Sequence, residues 1–274
     1  MRSLSLASCT FLAIAITAIL NNNILAQPPK KVVKKSVAKA APAKALTPKK
    51  IVGTRVMVMT DSGHMVIRLY DSTPLHRDNF IAKVQEGFYD SLMFHRVIKG
   101  FMIQGGDPNS KNAQPGEMLG MGSASGDRIP AEFRPTLFHK KGVLAAARDG
   151  NPEKASSNCQ FYIVQGKKYT DQELAMMDMQ SGRPMPASQK KAYKTLGGTP
   201  MLDQGYTVFG EVEIGMNVID KIAGVPTAPG DRPLADVRMQ MKVLSNDEFD
   251  AMWKKANKKA VKPSAAKPVK KKIN

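Results

Sequence analysis

The sequence predicts a mainly β fold, a closed antiparallel β-barrel capped by α-helices. Three observations predict it: several short apolar stretches have the composition of strands, turn residues separate most of them, and two short helical patterns flank them. The charge distribution marks the limits of this domain. Most of the net charge of +18 comes from the two ends of the chain, so residues 51–245 are nearly neutral and predict a globular domain.

The first half of the predicted domain contains a hairpin, a helix and two further strands. The hairpin is formed by RVMVMT and HMVIRLY, which Asp-Ser-Gly separates at 61–63. Thr73 and Pro74 suit the N-cap and the first position of a helix that Gly87 ends. Two short strands follow within FHRVIKGFMIQGGD, residues 94–107.

The second half contains the remaining strands and one helical insertion. A segment rich in Gly, Ser and Pro, residues 108–129, precedes strands predicted at GVLAAAR, CQFYIVQ, YTVFGEV and VRMQMKVL, with a helix at GMNVIDKIA. Between CQFYIVQ and YTVFGEV the pattern changes to two helices. Thr170 and Glu173 have the spacing of a capping box for the first, and Ser188 is the predicted cap of the second. We therefore expect a helical insertion near 170–197.

The N-terminus predicts a secretory signal peptide, residues 1–26. Arg2 precedes an uncharged, mostly apolar run from Leu4 to Leu20, and Ala26 is the expected cleavage position. An uncleaved membrane anchor is the alternative, although the run is at the short limit for spanning a bilayer. The prediction is therefore an exported protein of the periplasm or cell envelope.

Two lysine-rich segments flank the domain. The linker, residues 27–50, holds eight lysines and no acid, and the C-terminal tail, residues 246–274, holds nine lysines against three acids. The linker and the last part of the tail, KKANKKAVKPSAAKPVKKKIN, predict disorder because they have little to bury. Both ends are candidates for contact with anionic envelope surfaces. Their near absence of aromatic residues argues against specific nucleic-acid binding.

A polar pair inside an apolar stretch identifies the candidate site. Within FHRVIKGFMIQGGD, Arg96 and Gln104 interrupt residues that would otherwise belong in a core. Neither a buried strand nor a solvent-facing strand requires this mixture. An apolar binding groove with a few oriented polar groups does require it.

The same stretch resembles the central signature of the cyclophilin family of peptidyl-prolyl cis-trans isomerases. Four later blocks resemble that family in the same order, namely AEF, GVLAAA, CQFYI and LDQGYTVFGEVEIGMNVIDKI. The similarity extends from about Val56 to Leu244. It implies a closed eight-stranded antiparallel barrel capped by helices, and rotation about X–Pro peptide bonds as the activity.

The resemblance also implies roles for individual residues. Arg96 matches the catalytic arginine, and Gln104 is expected to hold the substrate carbonyl and to orient Arg96. The other matches bind substrate: Phe101, Met102, Ala147, Arg148, Gln160, Tyr162, Leu202 and Tyr206. Because the reaction breaks no covalent bond, no metal or other cofactor is expected. The four histidines and the lone Cys159 show no metal-ligand spacing.

Three positions depart from the family pattern. Arg148 replaces an Asn whose backbone, with that of Ala147, contacts substrate in the family, and Tyr206 stands where many members have His. Met201 stands where many members have a Trp that is tied to cyclosporin binding, so weaker binding of that drug is expected. Gln160 has an alternative role in structural hydrogen bonding.

The main hypothesis is a monomeric, exported isomerase that acts on proline-containing polypeptides. The barrier to X–Pro rotation is about 18–20 kcal/mol, and a guanidinium directed at the prolyl nitrogen would stabilise the twisted amide. Two alternatives remain. One is a proline-binding module or chaperone whose turnover is incidental, and the other is a polyanion-binding protein that uses its lysine-rich ends.

Overall fold

The computed structural model describes residues 53–260, and for 258–260 it describes the backbone alone. The predicted signal peptide, residues 1–26, and the linker, residues 27–50, lie outside the described residues, so both stay predictions. Within the described part of the chain, no helix combines the length and the apolar character needed to cross a bilayer.

Eight strands, five α-helices and two short 3-10 helices make up the described residues. The strands are β1 (Arg55–Thr60), β2 (Gly63–Leu69), β3 (Arg96–Ile98), β4 (Met102–Gly105), β5 (Val143–Ala146), β6 (Phe161–Val164), β7 (Val208–Ile214) and β8 (Gln240–Leu244). The α-helices are α1 (Pro74–Gln85), α2 (Asp171–Ser181), α3 (Ala187–Thr195), α4 (Met216–Ala223) and α5 (Asn246–Ala260). The 3-10 helices are Pro108–Lys111 and Pro200–Leu202.

All eight strands form one antiparallel sheet, in the order β3-β4-β6-β5-β7-β2-β1-β8. The prediction of a closed barrel is wrong, because β3 and β8 are the two edges and no ladder joins them among the described residues. The residues just before β3 and those just before β8 are joined by one isolated bridge, between Met93 and Arg238. This bridge lies outside both edge strands, and among the described residues β3 forms a ladder with β4 alone.

Consecutive residues of the central strands face two different apolar clusters. Ile103 of β4 and Ile163 of β6 point into the main core, where α1 contributes Phe80 and α4 contributes Ile219. Met102, immediately before Ile103, belongs to a second cluster on the opposite face. Because side chains alternate along a strand, both faces of these central strands are covered by apolar residues.

The predicted helical insertion is present as α2 and α3. Thr170 caps α2 with its hydroxyl, and the Glu173 carboxylate accepts from the Thr170 backbone N–H at 2.8 Å, so the predicted capping box is confirmed. The prediction for the second helix is wrong, because α3 begins one residue before Ser188 and its N-cap position is Pro186. Tyr193 of α3 is fully buried and packs with residues of α2.

Helix α5 corrects the disorder predicted for the C-terminal tail from residue 254, because the helix continues to residue 260. Residues 246–260 of that tail are helical, and Phe249 is buried against Val66 and Leu244 of the sheet. Ser245 and Glu248 form a reciprocal pair at its start, since each side chain accepts from the other residue's backbone N–H. The tail therefore begins as a packed helix, and residues 261–274 lie outside the described residues.

Candidate active site

The candidate site lies along one transverse row of the sheet. Arg96 on β3 pairs with Gln104 on β4, Gln104 pairs with Tyr162 on β6, and Tyr162 pairs with Ala145 on β5. Residues paired across neighbouring strands project from the same face, so these side chains lie side by side. The structure thus brings together Arg96, Gln104 and Tyr162, which are far apart in the sequence.

Arg96 contacts a carboxylate that the sequence analysis did not single out. Its Nε donates to Oδ2 of Asp231 at 3.3 Å, and the two side chains are 42% and 43% exposed. The backbone carbonyl of Asp231 also accepts from the Val97 N–H at 2.8 Å, which fixes Asp231 beside β3. An ion pair this exposed is worth less than about 1 kcal/mol. The guanidinium can therefore leave Asp231 at little cost.

Two glutamine amides connect the row to the segment that follows β4. Nε2 of Gln104 donates to Oε1 of Gln160 at 3.1 Å, and Nε2 of Gln160 donates to the carbonyls of Gly120 and Gly122 at 3.0 and 2.7 Å. Gln160 is buried, and these contacts give it the structural role considered as an alternative. The predicted contact of Gln104 with Arg96 is not among the hydrogen bonds of the described residues, since Arg96 bonds to Asp231 instead.

An apolar patch surrounds this polar row. The patch has buried members, which include Met102, Ala147 and Tyr162, and partly buried members, which include Phe101, Leu202 and Tyr206. The rings of Tyr162 and Tyr206 meet edge to face with their centroids 5.9 Å apart. All six residues were predicted to bind substrate, and the structure places all six in one cluster. Met201, beside Leu202, is 59% exposed.

Ala147 and Arg148 lie at one end of the patch. The Ala147 N–H donates to the Gln160 carbonyl at 2.9 Å, and its carbonyl accepts from Ser157 at 2.8 Å, so both backbone groups already have partners within the fold. Arg148 donates from Nε to the Gly205 carbonyl at 2.9 Å, and its guanidinium lies 4.7 Å from the centroid of the Tyr206 ring. Arg148 therefore orients the aromatic wall of the patch.

A buried hydrogen-bonded chain lies behind the wall of the patch. The Tyr162 hydroxyl is 2.9 Å from Nε2 of His139, and Nδ1 of His139 is 2.9 Å from Oδ1 of Asp203. Oδ2 of Asp203 accepts from the Tyr193 hydroxyl at 2.7 Å. The pKa values of the Tyr162 and Tyr193 phenols are both raised, mainly by burial, and that of Tyr162 lies well above its usual value. Both hydroxyls therefore remain protonated donors. Sequence reasoning found only Tyr162 of these four residues.

A second histidine-centred network has a structural role. Nδ1 of His76 is 2.7 Å from Glu132, and Nε2 is 2.9 Å from the Ser156 hydroxyl. This order of groups resembles a Ser-His-acid triad, but Ser156 is 1% exposed, so a substrate carbonyl cannot reach it. Within the described part of the chain, no group of His, Cys, Asp and Glu residues could hold a metal ion.

His95 occupies the face opposite Arg96, as strand alternation predicts. The ring is buried, and neither ring nitrogen has a hydrogen-bond partner among the described residues. The pKa of His95 is lowered to about 4, mainly by burial; nearby Asp107 opposes this shift, and the Arg96 charge adds to it. A neutral, enclosed imidazole is in no position to exchange protons with a substrate in the groove.

Comparison with protein families assigns the sequence of this domain to a known enzyme class. The family model described as cyclophilin type peptidyl-prolyl cis-trans isomerase/CLD matches residues 55–243, which is more than half of the chain. The chain belongs to the cyclophilin family of peptidyl-prolyl cis-trans isomerases. The enzyme class expected from the sequence is thereby confirmed, and the reaction is rotation about the peptide bond that precedes proline.

Individual relatives of this cyclophilin are bacterial. It is 37% identical over 186 residues to a putative peptidyl-prolyl cis-trans isomerase of Staphylococcus aureus, covering 67% of this chain and 87% of that protein. It is 39% identical over 190 residues to a putative bifunctional phosphatase/peptidyl-prolyl cis-trans isomerase of Streptococcus pyogenes serotype M6. That match covers 68% of this chain but spans only 37% of the streptococcal protein.

Solved cyclophilin structures share the fold. A crystal structure of a cyclophilin type peptidyl-prolyl cis-trans isomerase from Cryptosporidium parvum aligns with a TM-score of 0.54 at 23% identity, covering 71% of this chain and 99% of that one. A second structure, of the same protein in the presence of the dipeptide Ala-Pro, aligns with a TM-score of 0.52 at 23% identity, covering 70% and 99%. At this identity the likeness supports the fold alone.

Proposed function

We propose that this cyclophilin isomerises X–Pro bonds by using Arg96 to stabilise the twisted amide in an apolar groove. The supporting observation is the transverse row that places Arg96 and Gln104 beside the apolar patch. In the planar amide the nitrogen lone pair is delocalised, and this accounts for a barrier of about 18–20 kcal/mol. When the bond twists, the lone pair returns to nitrogen, and a guanidinium N–H can donate to it.

The groups around Arg96 have distinct roles in this proposal. The patch of Phe101, Met102 and Tyr162 receives the proline ring, because apolar walls favour an apolar ring and exclude water. One N–H of the Gln104 amide bonds to Gln160, and its second N–H can donate to a substrate carbonyl. The Cryptosporidium parvum isomerase was crystallised in the presence of Ala-Pro, and we infer proline-containing polypeptides as the substrates here.

Asp231 keeps the guanidinium near the groove in the absence of substrate. The Nε–Oδ2 distance of 3.3 Å and the exposure of both side chains indicate a weak contact. A substrate imide can therefore compete for the same guanidinium. Only an interaction that is stronger in the twisted state than in the planar state accelerates the reaction, and the contact with the prolyl nitrogen satisfies this condition.

The test is an isomerisation assay on an Ala-Pro peptide with the wild-type protein and Arg96→Ala. Removing one transition-state donor should lower kcat/KM by about 100-fold or more. The matched control is Arg77→Ala on α1, which removes an arginine that binds Asp71 and Asp78 and should leave the rate unchanged. Equal rates for wild type and Arg96→Ala would refute the role of Arg96.

Comparison of Arg96→Ala with Phe101→Ala distinguishes an isomerase from a proline-binding chaperone. If the groove only held proline segments, protection of an unfolded client would survive Arg96→Ala and would be lost in Phe101→Ala, a partly buried member of the patch. We expect both variants to lose isomerase activity, the first without losing peptide affinity.

We also propose that the isomerase is exported and acts on proteins that fold in the periplasm or cell envelope. This proposal depends on the layout of residues 1–26, with Arg2, an uncharged apolar run and Ala26. Cell fractionation followed by N-terminal sequencing tests it. A protein that begins at Gln27 in the envelope fraction supports the proposal, and an intact N-terminus in the cytoplasmic fraction contradicts it.

A further inference from the structure

The helical insertion is connected to the groove through buried polar groups. Tyr193 of α3 is 0% exposed, and its hydroxyl donates to Asp203, whose side chain is 2% exposed. Asp203 follows Leu202, a member of the apolar patch. A buried carboxylate needs hydrogen-bond donors to compensate for lost hydration, so the Tyr193 hydroxyl is part of what holds Asp203 in place.

Asp203 in turn determines how His139 is arranged. Oδ1 of Asp203 accepts from the His139 backbone N–H at 2.8 Å and lies 2.9 Å from Nδ1 of the same residue. Because a carboxylate only accepts, Nδ1 carries a hydrogen, and in the neutral ring Nε2 is left as an acceptor. That acceptor lies 2.9 Å from the Tyr162 hydroxyl.

Tyr162 is the point at which this chain of contacts reaches the groove. Its ring stacks on His139 at an interplanar angle of 13° and meets Tyr206 edge to face. A Phe ring would be held by packing alone, whereas the Tyr162 ring is also fixed by a hydrogen bond at its far end.

We propose that the insertion is a positioning element for the proline groove, acting through Tyr193, Asp203, His139 and Tyr162. Tyr193 is the positioning residue, because it touches no substrate and acts through its neighbours. Its hydroxyl holds the Asp203 carboxylate, which orients His139, and His139 in turn holds the Tyr162 ring. The inference rests on the proposed function, because it takes Tyr162 as a wall of the substrate groove. It assigns the insertion a role in the rate of isomerisation as well as in stability.

The first test compares Tyr193→Phe with Tyr169→Phe. Tyr193→Phe removes only the hydroxyl that binds Asp203, and the loss of one such hydrogen bond should lower kcat/KM by about two- to tenfold. Tyr169 packs in the same cluster, and its hydroxyl makes no hydrogen bond among the described residues, so Tyr169→Phe should keep the wild-type rate. Thermal unfolding of both variants shows whether they are folded at the assay temperature.

The deciding test is a double-mutant cycle with Tyr162→Phe. Without the Tyr162 hydroxyl the chain no longer ends in the groove, so Tyr193→Phe should cause no further loss of kcat/KM in that background. It should still lower the unfolding temperature by a similar amount in both backgrounds. A purely structural role would reduce activity equally in both backgrounds, or in neither, and either result would overturn the proposal.

The two proposals fail in different ways. If the groove were not the proline site, Arg96→Ala and Phe101→Ala would leave the rate of isomerisation unchanged. If only the positioning role is incorrect, those two variants keep their defects while Tyr193→Phe matches the wild type, or loses the same activity with and without the Tyr162 hydroxyl.

Discussion

Gly106, directly after β4, is a residue whose replacement this site cannot accommodate. Its φ is 92°, and a Cβ added there would lie 2.2 Å from the Cys159 carbonyl oxygen. Gly106→Ala therefore forces apart the chain on either side of the Gln104–Gln160 contact. We expect it to reduce the free energy of unfolding by about 3 kcal/mol or more, measured by urea denaturation.

Gly100 is the matched control for this prediction. Its φ is 79°, but nothing lies within 4 Å of an added Cβ. Gly100→Ala should therefore carry only the cost of a left-handed backbone, about 1–2 kcal/mol. Equal losses in the two variants would show that backbone conformation, rather than close approach to Cys159, limits position 106.

His95 should make the stability depend on pH. The pKa of His95 is about 4 in the folded protein, against an ordinary value of 6.5 that applies to the unfolded chain. Between these two pH values the unfolded chain therefore binds a proton that the folded chain does not. Stability is therefore fully present above about pH 6.5 and falls as pH drops towards 4, by up to about 3 kcal/mol. Denaturant unfolding at neutral and mildly acidic pH measures this loss.

His95→Phe should remove part of that pH dependence while keeping the ring buried. Burial also lowers the pKa of His76, so a smaller decline in the same direction should persist. His64→Gln, at an exposed position, is the control and should retain the wild-type slope. A wild-type slope in His95→Phe would contradict the assignment.

The sequence indicated most single residues of the site but few of their contacts. Arg96, Gln104 and the apolar patch were identifiable because they lie in contiguous motifs. Asp231, His139 and Tyr193 were not, since each acts through a partner that is distant along the chain. Their signal is a spatial one, and a single sequence does not contain it.

At the scale of elements, α5 shows which features of the C-terminal sequence predict structure and which do not. The lysine-rich sequence from residue 254 suggested disorder, whereas α5 continues to residue 260, and the apolar residues Phe249, Met252 and Trp253 in its first half pack against the sheet. Their spacing, together with the Ser245–Glu248 pair, was readable as a helix. The disorder prediction used the composition of residues 254–274 alone, although burial of the apolar face of the preceding residues is what decides whether such a helix packs.

Phe249→Ala tests whether α5 contributes to stability. Phe249 is 4% exposed, and the Arg55 guanidinium lies 3.9 Å from its ring centroid. Removing the ring should lower the free energy of unfolding by about 3–4 kcal/mol. The neighbouring exposed residue provides the control, because Asp250→Ala should change stability by less than about 0.5 kcal/mol. A small effect of Phe249→Ala would mean that α5 is dispensable.

At the scale of the whole molecule, the lysine-rich ends should be separable from catalysis. A chain without residues 27–50 and 261–274 keeps α5 and every described contact of the groove, so its kcat/KM should equal that of the full chain. Its binding to anionic vesicles should be lost, because each lysine near such a surface contributes about 1 kcal/mol. Vesicle binding that persists after this deletion would place the anionic contact on the domain itself.

The sequence predicted the fold class correctly, but its prediction of a closed sheet was wrong. Strand patterns and family blocks locate eight antiparallel strands along the chain, but they do not give the order of those strands in the sheet. Whether the edge strands β3 and β8 pair depends on a few backbone hydrogen bonds between the segments that precede them, such as that of the Phe94 N–H to the Val237 carbonyl at 2.9 Å. No residue type encodes such a seam.

The transverse row also limits how this chain can change in length. Insertion or deletion of one residue in β4 would turn Gln104 inward and bring Ile103 to the outer surface, since side chains alternate with a period of two. Added or lost residues are therefore tolerable only between strands. The segment that carries α2 and α3 lies between β6 and β7, a place where evolution can lengthen a protein without shifting any pairing.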